Sequence, residues 1–205
     1  MPLLTTIASG GVKGLGWSAS AGEELGGMVL LTPTSIDVVG TSATVGANGS
    51  VEFSAITSLR LNGIFSADYD NYVISIRATS SIDTGYGIRL SSGGTDENAP
   101  WNYYTRQVLS AYDTTIVGAR VAYNYFRAIG ISYNVTASGT NTTLYGPYLA
   151  QPTALRSTPV TDDFGARFLD GAHTHSLSNS YDGINLFPES GNITGLISVY
   201  GLVGA

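Results

Sequence analysis

From residue 36 onward, apolar side chains return at every second position in short runs, and turn residues separate the runs. Tyr72, Ile74 and Ile76 alternate with Val73, Ser75 and Arg77, and Tyr86, Ile88 and Leu90 repeat the pattern. That alternation marks strands with one packed and one wet face. Val51, Phe53, Ile56, Leu59 and Leu61 lie between two pairs that tolerate positive φ, Asn48-Gly49 and Asn62-Gly63, which read as reverse turns. Residues 116–130 are apolar and contain alanines, yet Gly118, the β-branched Ile116, Val117 and Val121, and the aromatics argue against a helix. Residues 91–100 read as a long turn-rich loop and residues 156–171 as loop-rich, while 178–201 read as a packed sheet edge or final hairpin. Roughly eight to ten strands follow from this pattern, and they fit an all-β fold, an antiparallel β-sandwich of jelly-roll-like form, better than a closed barrel. No repeated amphipathic helix supports a parallel α/β layout, and no short repeat supports a β-helix.

Residues 1–35 differ. Gly10, Gly11, Gly14, Gly16, Gly22, Gly26 and Gly27 break up short apolar pieces, with Trp17 alone among small residues. Glycine at this density raises the entropic cost of ordering. The division expected is an extended N-terminal arm over 1–35, serving as an attachment segment with Trp17 as its anchor in a partner's pocket, and one sandwich domain over 36–205. A floppy terminus is the plainer alternative.

Composition narrows the functions available. Hydrophobic residues make up 43% of the 205 positions and charged ones only 12%, half the roughly 25% of an average soluble domain. Glycine, serine and threonine supply the polar surface instead. Such a surface is neutral and short in side-chain entropy, which suits multi-chain assembly. Net charge is -6, and the eight arginines are scattered singly beside one lysine, Lys13. No basic stripe exists to neutralise phosphates, so nucleic acid is not an expected partner. Cysteine is absent, and no apolar run approaches the roughly 18 residues of a membrane span, so membrane insertion is not expected. The first residues lack a secretory pattern, and a chain soluble when made is expected.

Four blocks carry a resemblance: residues 61–76 (LNGIFSADYDNYVISI), 102–104 (NYY), 149–154 (LAQPTA) and 190–201 (SGNITGLISVYG). In order and spacing they resemble a family of bacteriophage virion proteins, the tail-fibre, minor tail and other minor structural proteins. The resemblance covers about three quarters of the chain, from Val51 to the end, and leaves residues 1–35 outside. It implies a small β-sandwich module made in the host cytoplasm and carried on the virion, on head or tail. It also implies a homotrimer that docks to other virion structural proteins and in some cases contacts host surface polysaccharide. It maps no catalytic residue and no cofactor onto the chain. It gives Phe65, Tyr69 and Tyr72 corner and core roles, with Asp68, Asp70 and Asn71 capping a turn, and it makes Asn192 and Gly195 shape the last hairpin.

Among candidate sites the aromatic group around Trp101 stands out. Trp101, Tyr103 and Tyr104 sit beside Asp96, Glu97, Asn98, Asn102 and Arg106. Sugars are held by an aromatic face with amides, carboxylates or arginine on their hydroxyls. A strand rich in aromatics is also ordinary core or subunit interface. Trp101, Asn102, Tyr103, Tyr104 and Arg106 are therefore candidates for glycan or interface contact. His173 and His175 alternate on one side of an extended segment and reach toward one metal if Asp170 or Asp182 joins them. The plainer expectation is a loop near a subunit contact, loosened as they protonate near pH 6 to 7. The paired acids Glu23-Glu24, Asp96-Glu97 and Asp162-Asp163 are adjacent in sequence and diverge on a strand, so glycoside cleavage is not expected. The segment Gly10 to Gly14 lacks the Gly-Lys-Ser/Thr ending of a phosphate loop, and no Gly-x-Ser-x-Gly elbow occurs. The expectation is a non-enzymatic protein without cofactor.

Overall fold

The computed structural model describes residues 27–203 other than 113, 114, 135 and 163–165, and every regular element in it is a strand. In chain order these are β1 (Met28–Leu31), β2 (Ser35–Val45), β3 (Val51–Asn62), β4 (Asn71–Ser80), β5 (Thr84–Ser92), β6 (Thr95–Asp96) and β7 (Tyr103–Tyr112). There follow β8 (Thr115–Tyr123), β9 (Phe126–Ser132), β10 (Ser138–Tyr145), β11 (Thr153–Asp162), β12 (Ala166–His175), β13 (Gly183–Pro188) and β14 (Ile193–Leu202). Period-two burial is cleanest on β4, where Tyr72, Ile74, Ile76 and Ala78 are buried and Arg77 is exposed. The stretch 116–130 forms β8 and β9 rather than a helix.

One antiparallel ladder runs β6-β5-β13-β3-β14-β4-β10-β11-β12-β7-β8, with β1 on β14, β2 on β3 and β9 on β5. The long strand β3 folds this ladder over on itself. Its first part, Val51 to Ile56, pairs with β14, and its last part, Leu59 to Leu61, pairs with β13. At the end of the first part Ala55 takes φ 47°, and the register with β2 shifts between Val39 and Gly40. A Cβ on Gly40 would lie 2.4 Å from the Ala55 carbonyl oxygen, so the bend needs glycine there. Folding brings β5 and β9 over β10, β12 and β7. The Tyr86 hydroxyl meets Thr140 Oγ1 at 2.7 Å, and the Phe126 ring lies 5.9 Å from that of His173. The result is an all-β sandwich.

Its interior has two characters. Under β3, β4, β13 and β14 it is aliphatic, with Ile56, Leu59, Ile74, Ile76, Leu186 and Ile197 fully buried. Under β10, β11 and β12 the buried positions are largely hydroxyls and imidazoles: Thr140, Thr142, Ser157, Thr161, His173 and His175. This explains why residues 156–171, expected to be loop-rich, instead supply most of β11 and β12. Alternation is present, but Ser157 and Thr161 face inward while Val160 is exposed, so hydropathy reads the strand upside down. Pro159 is tolerated because Thr158 and Pro159 have no partner on β12, where the ladder skips from Ser157 to Val160.

Three further sequence expectations meet the structure here. Residues 28–31, placed within the arm, form β1 on β14, from Met28 against Leu202 to Leu31 against Val199. Trp17 lies outside the described residues. At the turn after β3, Phe65 and Tyr72 are buried with ring centroids 4.5 Å apart, and the Tyr72 hydroxyl donates to Ser66 O and accepts from Ser66 N. Asp68 caps this turn by accepting from Ser66 Oγ at 3.0 Å. Asp70 contributes its backbone carbonyl, to Gly146 N, and Asn71 opens β4. Gly195 sits at a register shift of β14, where a Cβ would fall 1.9 Å from Arg77 O.

Candidate functional site

Trp101 stands at the end of the loop between β6 and β7 with 67% of its surface exposed. Its φ is 71°, in the left-handed region that disfavours any residue with a Cβ. The loop behind it is fixed. Glu97 N donates to Leu90 O at 2.8 Å, Ala99 N donates to Glu97 Oε1 at 2.9 Å, and Ser176 N donates to Asn102 O at 2.9 Å. Tyr103 anchors the base: its hydroxyl donates to Glu97 O at 2.9 Å and accepts from Leu90 N at 3.2 Å. It is fully buried, and burial pushes its phenol far above the ordinary range. The expected cluster therefore divides. Trp101 is displayed, Asn102 and Tyr104 are half-buried, and Tyr103 is core. Arg106 continues β7 between Ala172 of β12 and Arg120 of β8.

Beside this loop opens a cleft of about 500 Å³, lined by Ser92, Thr95, Asp96 and Glu97 on one side and by Ser178, Asn179, Ser180 and Tyr181 on the other. The Ser176–Asn102 hydrogen bond ties the second wall to the Trp101 loop. Asp96 is held rigidly. Its Oδ1 accepts from Arg60 Nε at 2.9 Å, its Oδ2 accepts from Asn185 Nδ2 at 2.6 Å, and Arg89 Nη1 stands 3.9 Å from Oδ2. The second wall is pinned through Tyr181 N to Pro147 O at 2.9 Å and Ser180 Oγ to Tyr148 O. Burial, partly offset by the Asn179 side chain, raises the Tyr181 phenol to about 12. A second recess of about 360 Å³ lies over β2, β3, β4 and β14, with Glu52 and Arg77 in its lining, but its aromatic, Phe53, is buried in the core.

The histidine expectations need correction. His173 and His175 do share a face, but of strand β12 rather than of a loop, and that face is the interior. His173 lies between Ser157 Oγ at 3.1 Å from Nε2 and Thr105 Oγ1 at 3.1 Å from Nδ1. His175 packs among the rings of Tyr103, Phe126 and Tyr181, with neither nitrogen hydrogen-bonded. Burial lowers both imidazoles to about 4, against a smaller opposing pull from Glu97 on His175. Their protonation is thus an event of the core, well below pH 6. Among the described residues no group of three His, Cys, Asp or Glu comes together to hold a metal.

One cluster escaped the sequence reading. On the outer face of β5 and β13, the Arg89 guanidinium lies 4.5 Å from the Phe187 ring and 5.7 Å from that of Tyr125. Arg127 lies 4.8 Å from the Tyr123 ring and pairs with Glu189 through two contacts, Nε–Oε1 at 2.9 Å and Nη2–Oε2 at 3.2 Å. A Cβ on Gly87 would come within 2.6 Å of the Tyr125 ring, so this glycine makes room for the ring across β5. Gly85 and Gly87 on the outward side of a strand were the available signal. The arginines cover the rings, and the cluster closes on itself.

No family model and no curated protein matches the sequence. Among solved structures, similarity is found to domain 4 of AbnA, a GH43 extracellular arabinanase from Geobacillus stearothermophilus, solved in complex with arabinotriose. Identity is 12% over 88% of this chain and 96% of that one, with a TM-score of 0.33. The C-terminal CBM6 of LamC, a marine laminarinase from Zobellia galactanivorans, is similar at 14% identity over 84% of this chain and 98% of that one, with a TM-score of 0.30. Values this low carry no argument about the site, whose reading rests on the geometry above.

Proposed function

We propose that the chain is a non-enzymatic recognition module of a bacteriophage virion that holds host surface polysaccharide at Trp101 and the adjoining cleft. The observation that carries the binding role is Trp101. Left-handed backbone at a non-glycine residue costs on the order of 1–3 kcal/mol, and such strain concentrates at functional positions. Here the side chain is displayed to solvent, so core packing does not offset the cost. An exposed indole on the loop whose first residue, Glu97, lines a cleft of hydroxyls, an amide and carboxylates meets the two needs of a sugar, an apolar face and polar edges. The virion context rests on the resemblance of the four sequence blocks.

A second reading, self-association as a virion structural protein, is favoured by β2. This strand pairs only with β3 among the described residues, and its Val39 is 62% exposed. The two roles are compatible, since a spike both assembles and binds.

The test of the binding role is Trp101→Ala in the whole chain, read by adsorption to host cells or purified host polysaccharide. Removing a stacked aromatic should reduce affinity at least tenfold while the melting temperature and oligomer mass stay at wild-type values. Unchanged adsorption with unchanged folding would end the glycan reading.

A further inference from the structure

We infer that the cleft bounded by Glu97 and Tyr181 is a subsite for uncharged sugar residues, neutral hexoses or N-acetylhexosamines, and that it rejects uronic and sulfated ones. This rests on the glycan reading above and adds which glycans are taken. The first support is an unmet hydrogen-bonding need in the wall. Tyr181 is only 2% exposed, yet among the described residues its hydroxyl has no partner of ordinary hydrogen-bond geometry and feels only the pull of the Asn179 side chain. Its ring rests against His175, whose two nitrogens are unpartnered as well. A buried hydroxyl without a partner is costly, and a sugar hydroxyl entering the cleft supplies one.

The second support is charge. Two carboxylates, Asp96 and Glu97, line the cleft, and among the described residues no arginine or lysine does. Arg60 and Arg89 reach Asp96 from outside the lining, and both have other commitments: Arg60 to Asp37 at 3.2 Å and Arg89 to Asn124 O at 3.2 Å. Asp96 has both oxygens occupied, but among the described residues Glu97 uses only Oε1, for Ala99 N, which leaves Oε2 to accept from a ligand hydroxyl. A carboxylate accepting from a neutral sugar forms a strong, charge-assisted bond. The same carboxylate repels a uronate or sulfate held at contact distance. The remaining lining, Ser92, Thr95, Ser178 and Asn179, offers hydroxyl and amide groups that suit a neutral polyol or an N-acetyl group. At about 500 Å³ the cleft lies within the size range of small-ligand sites, so it takes the end or a short stretch of a glycan.

The experiment is calorimetric titration of the whole chain with four probes: a neutral glucan, a chito-oligosaccharide, polygalacturonate and a sulfated polysaccharide. Wild type, Tyr181→Phe and Glu97→Gln are compared. Because the Tyr181 hydroxyl has no partner of ordinary hydrogen-bond geometry among the described residues, and only the weaker pull of the Asn179 side chain, Tyr181→Phe should change the melting temperature little while weakening neutral-sugar binding about tenfold. Glu97→Gln keeps an acceptor for Ala99 N; it should weaken neutral-sugar binding and narrow the discrimination against polygalacturonate. Preference of the wild type for either anionic polymer would overturn the inference and leave the glycan reading standing. Neutral-sugar binding unmoved by both variants would overturn it by placing the sugar elsewhere. Failure of wild type to bind any of the four probes or host polysaccharide would remove the glycan reading and this inference together.

Discussion

Among single residues, His173 and His175 turn an interior into an acid-sensitive one. Each imidazole is held near 4 by burial, against the ordinary 6.5. The folded state therefore favours the neutral ring, and the unfolded chain binds protons first as pH falls. Stability from this source is complete above pH 6.5 and is lost progressively as pH drops toward 4. For the deeply buried His173 the loss by pH 4 is about 3 kcal/mol. Chemical denaturation between pH 7.5 and 4.5 should show a falling midpoint, and the double variant His173→Gln, His175→Phe should flatten that limb. An equally steep limb in the double variant would assign the acid sensitivity to carboxylates instead. The pairing of the two rings on one face was legible in the sequence, because strand geometry puts alternate residues together. Their burial was not, because Ser157, Thr105 and Thr153 around them read as surface while the fold encloses them. Trp101 was legible as chemistry, but the positive φ that singles it out from Tyr103 depends on the loop hydrogen bonds and has no sequence signature.

Between strands, glycine decides how closely two backbones and their side chains can pass. On β9, Gly130 faces Tyr86 of β5, and a Cβ there would lie 1.9 Å from the ring. That ring is buried and bonded to Thr140, so it has little room to move aside. Gly130→Ala should therefore destabilise by about 3 kcal/mol, the upper end for overpacking a core. For a chain of this size that corresponds to roughly 6–12 °C in melting temperature. On β10, a Cβ added to Gly139 would meet nothing within 4 Å, so Gly139→Ala should stay within about 0.5 kcal/mol of wild type or gain slightly. Calorimetry on the two variants checks both, and similar melting points would refute the close approach of β5 and β9. The same contrast explains how far elements could be read from sequence. Strands β4 and β5 announce themselves because their inward residues are large and apolar. Strands β11 and β12 do not, since inward serine, threonine and glycine oppose an outward valine. The cluster of Arg89, Tyr125 and Phe187 depends on β9 and β13 lying on either side of β5, a pairing that local alternation does not encode.

Over the molecule as a whole, apolar exposure is concentrated at one margin. Of nine exposed large hydrophobics among the described residues, Met28, Val29, Val38 and Val39 lie on β1 and β2, two strands joined by three residues. Val38 is register-paired with the buried Leu59, yet it is itself 40% exposed, so β2 overhangs the sandwich instead of being covered by the opposite layer. An overhanging edge whose outward side pairs with no strand among the described residues, with apolar side chains on both faces, invites association. Two copies joined edge to edge about a twofold axis make a closed dimer, whereas a trimer requires each β2 to meet a different patch on the next copy. Under the virion role proposed above the second arrangement is expected, a species of three times the 21.4 kDa chain mass. Val39→Lys places a charge at this margin without touching the core and should shift the population to monomer, read by light scattering across a dilution series. Its melting temperature at low concentration should match that of dissociated wild type. A dimer that Val39→Lys dissolves would keep β2 as the contact and replace the threefold arrangement with a twofold one. Wild type that stays monomeric at the highest concentration would show that β2 is not a contact between copies of this chain.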